Sequence, residues 1–425
     1  MPYIEKDKEY TVSVVSVTDG DTVTVEFNDG EQFDVRVLGI DSPEKLQFQR
    51  YERVQEWVGI RDLPYLAEWA DRATGFGRRL LGVNGDTTVV TDEQGRPRVT
   101  LSFDPVADLF DQFGRLLGYI ERGPMLYNRR VIEAGFARAY GSGFSRHDEF
   151  AEAERRARRE GRGLWAESTP EASSAIRNER VRDVYVPNPV PVTAKDGEPR
   201  KRDVAVRSAR TAFRPDSDDR DDAAPLVGVD RRANVVLVGG LLISEEYERA
   251  EGYDVSTASF GNFPVLTNLL TRVAEKDGDV LIDGGHGQFG ADYALSLEDA
   301  AYYRRYLEGV GLRFHQYNRI RPANLRDYRA VIVTAPDGAY SEDEMAALRE
   351  FAESGGVVVL MASGTAPLTP RGRLNGLART LRTDLRFTGD TLIDPVNNLN
   401  GDEQVVTTSW FNGSFDVFRP FPAGD

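Results

Sequence analysis

The N-terminal valines change phase in mid-strand: Val12 and Val14 fall on one face, Val15 and Val17 on the other. Side chains of a strand alternate between faces, so a slip of one residue marks a bulge, which bends the strand and sharpens its twist. Alternation resumes at Val23, Val25 and Phe27, Asn28-Asp29-Gly30 supplies a tight turn, and Phe33, Val35 and Val37 run back along a second strand. At Leu38 and Ile40 both faces become apolar. A bent hairpin that ends buried on both sides fits a small closed barrel better than an open sheet. Downstream come a helical stretch around "YLAEWADRATGFGRRLL", strand patterns in "TTVVTD", "RVTLSF" and "LLGYI", and a turn near "DQFGR". Helical patterns over "MLYNRRVIEAGFARAY" and "DEFAEAERRARREGRGLW" follow, the second ending at Gly161 and Gly163. A β-barrel with three helices thus accounts for residues 1–168.

With 425 residues the chain is too long for one ordinary core, and two or three domains are expected. Residues 169–230 read as a linker and β-rich connection, with "VPNPVPV", the basic turn "KDGEPRKRD" and the acidic run "RPDSDDRDDAAP" as exposed connections. The remainder, 231–425, alternates short apolar runs ("VVLVGG", "VLIDGG", "AVIVTA", "VVVLMASG") with amphipathic helices, the pattern of a parallel α/β sheet. Ser296 marks a helix start before "LEDAAYYRRYLEGV", and Ser341 with Glu344 forms a capping box before "MAALREFAESGG". The fold class is therefore multidomain, α+β followed by α/β.

There is no cysteine, which excludes disulfides, thiolate metal sites and cysteine nucleophiles. With histidine only at His147, His286 and His315, zinc and serine–histidine chemistry are poorly supplied. No apolar run approaches the roughly 18 residues of a membrane span, and "MPYIEKDKEY" has no signal-peptide pattern, so a soluble, cytoplasmic protein without membrane contact is expected. The net charge is −16, and lysine occurs only at Lys6, Lys8, Lys45, Lys195, Lys201 and Lys276. An acidic, lysine-poor surface suits a halophilic protein kept soluble at high salt. In molar salt the Debye length is about 3 Å, so long-range repulsion of nucleic acid is largely screened. Counterion release weakens equally, leaving short-range contacts to carry binding.

Asp19, Asp21, Asp41 and Glu44 stand at the two ends of the first hairpin, with Arg36 inside its second strand. The bland alternative is a solvated hairpin. The other is a metal site, because a hard cation takes carboxylates, carbonyls and waters, and Asp21 and Asp41 can meet at one barrel end. Phosphodiester cleavage also needs positive groups on the phosphate, for which Arg36 and Arg115 are candidates, and a group for the water, for which Glu44 is one.

At these residues the chain resembles the staphylococcal (thermonuclease-type) nuclease family. The matching pieces are "DGDT" at 19–22, "RVLGIDSPE" at 36–44, "FGRLLGYI" at 113–120, "EAGFARAY" at 133–140 and "AERRARREGRGLW" at 153–165. The resemblance implies a five-stranded oligonucleotide-binding-type (OB) barrel over residues 1–168 that hydrolyses DNA or RNA with Ca²⁺, endonucleolytically, leaving 3′-phosphate ends. It implies Asp21 and Asp41 as carboxylate ligands, Ser42 as a carbonyl ligand, Glu44 as the residue that orients or deprotonates water, and Arg36 and Arg115 as phosphate-binding groups. Ser42 replaces the usual threonine, and Gln112-Phe113 replaces a Lys-Tyr pair. An insertion, "KLQFQRYERVQEWVGIRDLP", lies beside the expected site. Tyr140 is expected either to pack in the core or to stack on a base, and Asp19 to be a turn residue.

Residues 180–425 resemble a non-catalytic glutamine-amidotransferase-like α/β domain, on "VLIDGGHGQFG" at 280–290, the stretch 330–364 and "DPVNNLNGD" at 394–402. The loop "DGGHGQ" follows a strand, where open α/β sheets place ligands, so Asp283, His286 and Gln288, with Asn397 and Asn398, are a candidate pocket for an unknown ligand or protein partner. The competing expectations are a nuclease with an accessory domain, a binding module for nucleic acid or protein on an inactive barrel, and a small-molecule enzyme centred on His286.

Overall fold

The phase slip lies between Val14 and Ser16 of β1 (Tyr10–Val17), where the antiparallel register with β2 (Thr22–Glu26) shifts. The computed structural model describes residues 4–48, 56–60, 63–83, 90–172, 176–215 and 223–421, and the chain divides into two compact units, Met1–Thr169 and Pro170–Asp425. Among the described residues no helix is long and apolar enough to cross a membrane.

In the first unit β3 (Gln32–Val37) returns beside β2 through a turn at Gly30, whose φ of 90° suits glycine. After β3 come the short β4 (Ile40–Asp41), α1 (Leu63–Leu81), β5 (Arg98–Ser102) and β6 (Leu116–Arg122). β5 pairs with β1 and β6 with β5, and β6 then pairs in parallel with β3, Val35 opposite Leu116. That last pairing closes a five-stranded barrel, as the hairpin pattern implies. The inward residues Val12, Val14, Val23, Val25, Val35, Val37, Leu101, Leu116 and Ile120 are at most 1% exposed. Each contributes roughly 1.5–3 kcal/mol of hydrophobic stabilisation relative to exposure.

The chain continues through β7 (Met125–Leu126), α2 (Tyr127–Glu133), β8 (Arg138–Ala139) and α3 (His147–Arg159). The helical pattern read across residues 125–140 is interrupted. Gly135 adopts φ +74°, and a Cβ there would lie 2.1 Å from the Arg162 carbonyl oxygen, so the chain turns out of the helix at this close approach. Residues 138–139 then pair antiparallel with β4, Asp41 opposite Arg138. Of the "TTVVTD" strand, residues up to 89 lie outside the described residues, and the rest forms a single bridge, Thr91 to Pro97. Residues 49–55 and 61–62 of the insertion, and 216–222 of the acidic run, also lie outside them.

The second unit contains β9 (Val184–Pro187), β10 (Val192–Ala194), β11 (Val204–Arg207), β12 (Pro225–Asp230), β13 (Val235–Val238), α4 (Asn262–Val273), β14 (Asp279–Asp283), α5 (Ala301–Gly309), β15 (Phe314–Tyr317), α6 (Pro322–Leu325), β16 (Tyr328–Thr334), α7 (Glu342–Glu353), β17 (Val357–Met361) and α8 (Leu368–Thr380). Its main sheet has the order β11-β12-β13-β17-β16-β14-β15, parallel from β13 onward. Strands from the stretch expected to be a connection belong to it: β11 and β12 form its antiparallel edge. Ser341 and Glu344 make the capping box of α7. Ser296 does not start α5. Its backbone N–H and hydroxyl both bond Asp299 at 2.6 Å, and the helix begins later, after Ala300.

Candidate active site

Asp21 enters β2 from a turn in which its own N–H donates to Asp19 Oδ1 at 3.1 Å. Gly20 permits the approach of the opposite loop, since a Cβ there would stand 2.7 Å from Ser42 Cβ. Ser42 donates to Asp21 Oδ2 through its backbone N–H at 2.6 Å and its hydroxyl at 2.9 Å. Asp41, on β4, lies beside the same point. Arg36, opposite Thr22 in the β2–β3 register, reaches both carboxylates: Nη1 is 3.2 Å from Asp21 Oδ1 and Nη2 donates to Asp41 Oδ1 at 3.0 Å. Nη1 also donates to the Ile40 carbonyl at 2.7 Å. Asp21, Asp41 and Ser42 are buried. Asp19 serves the turn.

Burial, with Asp19 and Asp41 nearby, pushes the Asp21 carboxyl up to about 7 although Arg36 and the Ser42 N–H oppose the shift. Burial works against the Arg36 charge, yet Asp21, Asp41 and Asp19 outweigh it and raise that guanidinium above its ordinary value. Asp19, Asp21, Asp41 and Glu56 stand around Arg36 and Arg138, an excess of carboxylates over guanidiniums that a divalent cation would offset, and all the donors are hard oxygens. Asp21 and Asp41, with the main chain of Ser42, therefore fit Ca²⁺. Among the described residues no group of three or more histidine or acidic side chains forms a ready-made cage. An ion held here would complete its shell with waters or substrate oxygens.

Arg115 is set by a different device. In the turn Asp111–Arg115, Asp111 Oδ1 accepts from the N–H groups of Phe113 and Arg115, both at 2.9 Å, and Oδ2 accepts from Arg115 Nε at 2.7 Å. The turn Asp92–Arg96 repeats the same bonds, with Arg96 Nε donating to Asp92 Oδ2 at 2.8 Å. There the outer edge of the guanidinium grips Glu26 with two bonds, 3.0 and 2.6 Å. Among the described residues the corresponding Nη donors of Arg115 have no hydrogen-bond partner, and the exposed Phe113 ring lies 5.6 Å away. A planar fork held by its inner edge with two donors outward is suited to an oxyanion.

Glu44 stands half-buried in the loop after Ser42, which Lys45 pins by donating to the Thr18 carbonyl at 2.7 Å. Tyr140 is half-buried, its ring 5.6 Å from the Arg138 guanidinium. The structure thus brings Asp21, Arg36, Asp41 and Ser42 into direct contact and places Glu44 two residues beyond them; no bond joins Arg115 to the two aspartates. Sequence reasoning missed Arg138. Only 2% exposed, it donates from Nε to Asp41 Oδ2 at 3.1 Å and from Nη2 to Glu56 Oε2 at 3.0 Å. The available signal was a lone arginine among small and aromatic residues in "FARAY".

In the second unit Asp283, His286 and Gln288 do converge at the end of β14. Asp283 Oδ2 lies 2.9 Å from His286 Nδ1, accepts from Gln288 Nε2 at 2.9 Å, and accepts from the Tyr340 hydroxyl. His286 Nε2 is 3.3 Å from Glu344 Oε2, and its ring stacks on Tyr340. Burial disfavours its charge, but Asp283 and Glu344 prevail and raise its pKa. Asn397 and Asn398 are engaged elsewhere: Asn397 bonds Thr211 at 2.6 Å and Asn398 the Asp394 carbonyl at 2.9 Å.

Residues 34–167 match the family described as staphylococcal nuclease homologue. A protein of Methanocaldococcus jannaschii described as uncharacterized is 34% identical over 169 residues, covering 38% of this chain and 75% of its own length. The thermonuclease of Staphylococcus hyicus is 24% identical over 160 residues, covering 37% of this chain and 77% of its own.

Proposed function

The chain belongs, through residues 34–167, to the staphylococcal nuclease homologue family, and from that premise we propose that it is a Ca²⁺-dependent nuclease cutting phosphodiester bonds of DNA or RNA endonucleolytically. The observation that carries this is Arg36 set between the buried Asp21 and Asp41, at the barrel end where Ser42 and Glu44 follow. Asp21, Asp41 and the Ser42 carbonyl would hold the ion. When bound, Ca²⁺ polarises a phosphoryl oxygen and offsets charge on the phosphate. Arg36 and the outward donors of Arg115 bind phosphate oxygens and stabilise the negative charge that develops as water attacks. Glu44 accepts the proton of that water or orients it. As the P–O bond to the water forms, the P–O5′ bond breaks and the 5′ oxygen takes up a proton from solvent, leaving a 5′-hydroxyl and a 3′-phosphate.

Supercoiled plasmid and RNA in molar KCl are therefore expected to be cut with Ca²⁺ and left intact in EGTA. Product ends are read by ligation and by phosphatase treatment. Undiminished cleavage in chelator would overturn the metal site, and ligatable 5′-phosphates would overturn the direction of attack.

The second unit is an accessory domain in this proposal, since the nuclease residues all precede Thr169 and no cysteine exists for amidotransferase chemistry. Its strand-end loop around His286 is the candidate contact for a ligand or protein partner. A chain ending near residue 170 is expected to fold and to cut the same plasmid at matched salt. A truncated protein that is folded by circular dichroism but inactive would contradict the accessory role.

A further inference from the structure

We propose that Arg138 and Glu56 form a positioning pair for Asp41, making the stretch 56–60 a working part of the nuclease site. The inference rests on the reading of Asp41 as a cation ligand. Its two carboxylate oxygens are claimed from opposite sides. Oδ1 accepts from Arg36 at 3.0 Å, and Oδ2 accepts from Arg138 Nε and lies 3.1 Å from its Nη2. A carboxylate bonded at both oxygens cannot rotate about its own axis without losing one partner, so its remaining lone pairs keep a fixed direction.

Arg138 is itself fixed. It faces Asp41 in the β4–β8 pairing, and the next residue, Ala139, donates its N–H to Glu154 Oε2 at 2.8 Å. Its guanidinium lies near two rings, 5.8 Å from Trp57 and 5.6 Å from Tyr140. A buried cation costs several kcal/mol unless it is paired. Pairing with Asp41 alone would place a second full positive charge on a carboxylate that Arg36 already binds, at the expense of any incoming cation. Glu56 removes that conflict, because its Oε2 takes a share of Arg138 Nη2 at 3.0 Å. Glu56 is in turn held by its neighbour Trp57, 3% exposed and packed 5.9 Å from Trp165. Arg138 orients the ligand, and Glu56 keeps Arg138 from neutralising it.

Groups that bond metal ligands from behind typically affect metal affinity or activity 10- to 100-fold. The test is calorimetric Ca²⁺ titration of the full chain, alongside kcat and KM on plasmid, for Arg138→Met, Arg138→Lys, Glu56→Gln and the Glu56→Gln/Arg138→Met double variant. Ca²⁺ affinity is expected to fall at least tenfold in each single variant, with KM for DNA nearly unchanged. The double variant is expected to match Arg138→Met, because the effect of Glu56 on Asp41 passes through Arg138. Unchanged or tighter Ca²⁺ binding in the single variants, or additive losses in the double, would overturn the pair. If Arg138→Met fails to fold, Arg138→Lys, which keeps the charge but lacks the fork, and the isosteric Glu56→Gln decide the matter. A wild-type protein that neither binds Ca²⁺ nor cuts would overturn the nuclease reading itself, whereas one that cuts while all variants behave like it overturns the pair alone.

Discussion

Glu44→Gln, Arg36→Ala and Arg115→Ala are each expected to lower turnover about 10²- to 10³-fold, the usual cost of removing one group that acts on the charge developing in a transition state. The three should differ in stability. Arg115 sits in an exposed turn whose Asp111 cap also accepts two backbone N–H bonds, so its loss leaves the turn standing. Arg36 is different, because it balances Asp21 and Asp41 in a buried setting. Breaking such a pair from one side typically costs about 3–5 kcal/mol. Arg36→Ala should therefore melt earlier than wild type in EGTA and recover part of the difference at saturating Ca²⁺, which supplies the missing positive charge. Steady-state rates at saturating Ca²⁺, paired with melting curves in both conditions, measure the two effects separately. Near wild-type turnover in any folded variant would remove that residue from the proposed chemistry.

What the sequence disclosed and what it hid follow from how far apart the interacting residues are. The bulge at Val14/Ser16 and the β2–β3 hairpin are written in alternation and turn chemistry over some twenty residues, so both were legible. The convergence of Asp21 on Asp41 followed from that hairpin, because strand ends joined by one turn must lie together. The break of the helix after Glu133 did not, since its cause is the contact of Gly135 with Arg162, far along the chain. Arg138 was hidden for the same reason: the partners that define it, Asp41 and Glu56, lie 97 and 82 residues away. Ser296 shows a different limit. Its hydroxyl was read as a helix cap, but Asp299 three residues later captured both it and the N–H, a local competitor that periodicity does not reveal. In the same way Asn397 and Asn398 read as pocket residues beside His286, whereas Asp394 organises their own turn.

A large stability loss in the first unit is also expected at Asn128, a polar residue with no exposed surface. Its amide Nδ2 donates to the carbonyls of Leu38 at 2.8 Å and Gly118 at 3.3 Å, and its Oδ1 accepts from the Ile120 N–H at 3.1 Å. One side chain on α2 thereby joins the end of β3 to β6, where the barrel closes and the chain departs toward Asp41. Asn128→Ala leaves the Ile120 N–H and the Leu38 carbonyl without this partner and opens a small cavity. An orphaned buried polar group costs about 1–3 kcal/mol, so a total of roughly 3–5 kcal/mol is expected. Asn128→Leu fills the space but restores none of the bonds, and it should recover little. Trp57, Trp69 and Trp165 all belong to the first unit, against Trp410 alone in the second, so tryptophan emission during denaturant titration reports mainly on the unit concerned. The variant should unfold at markedly lower denaturant. It should also bind Ca²⁺ more weakly while folded, because the Leu38–Asp41 segment loses its anchor. A midpoint within experimental error of wild type would show that the barrel closure does not depend on Asn128.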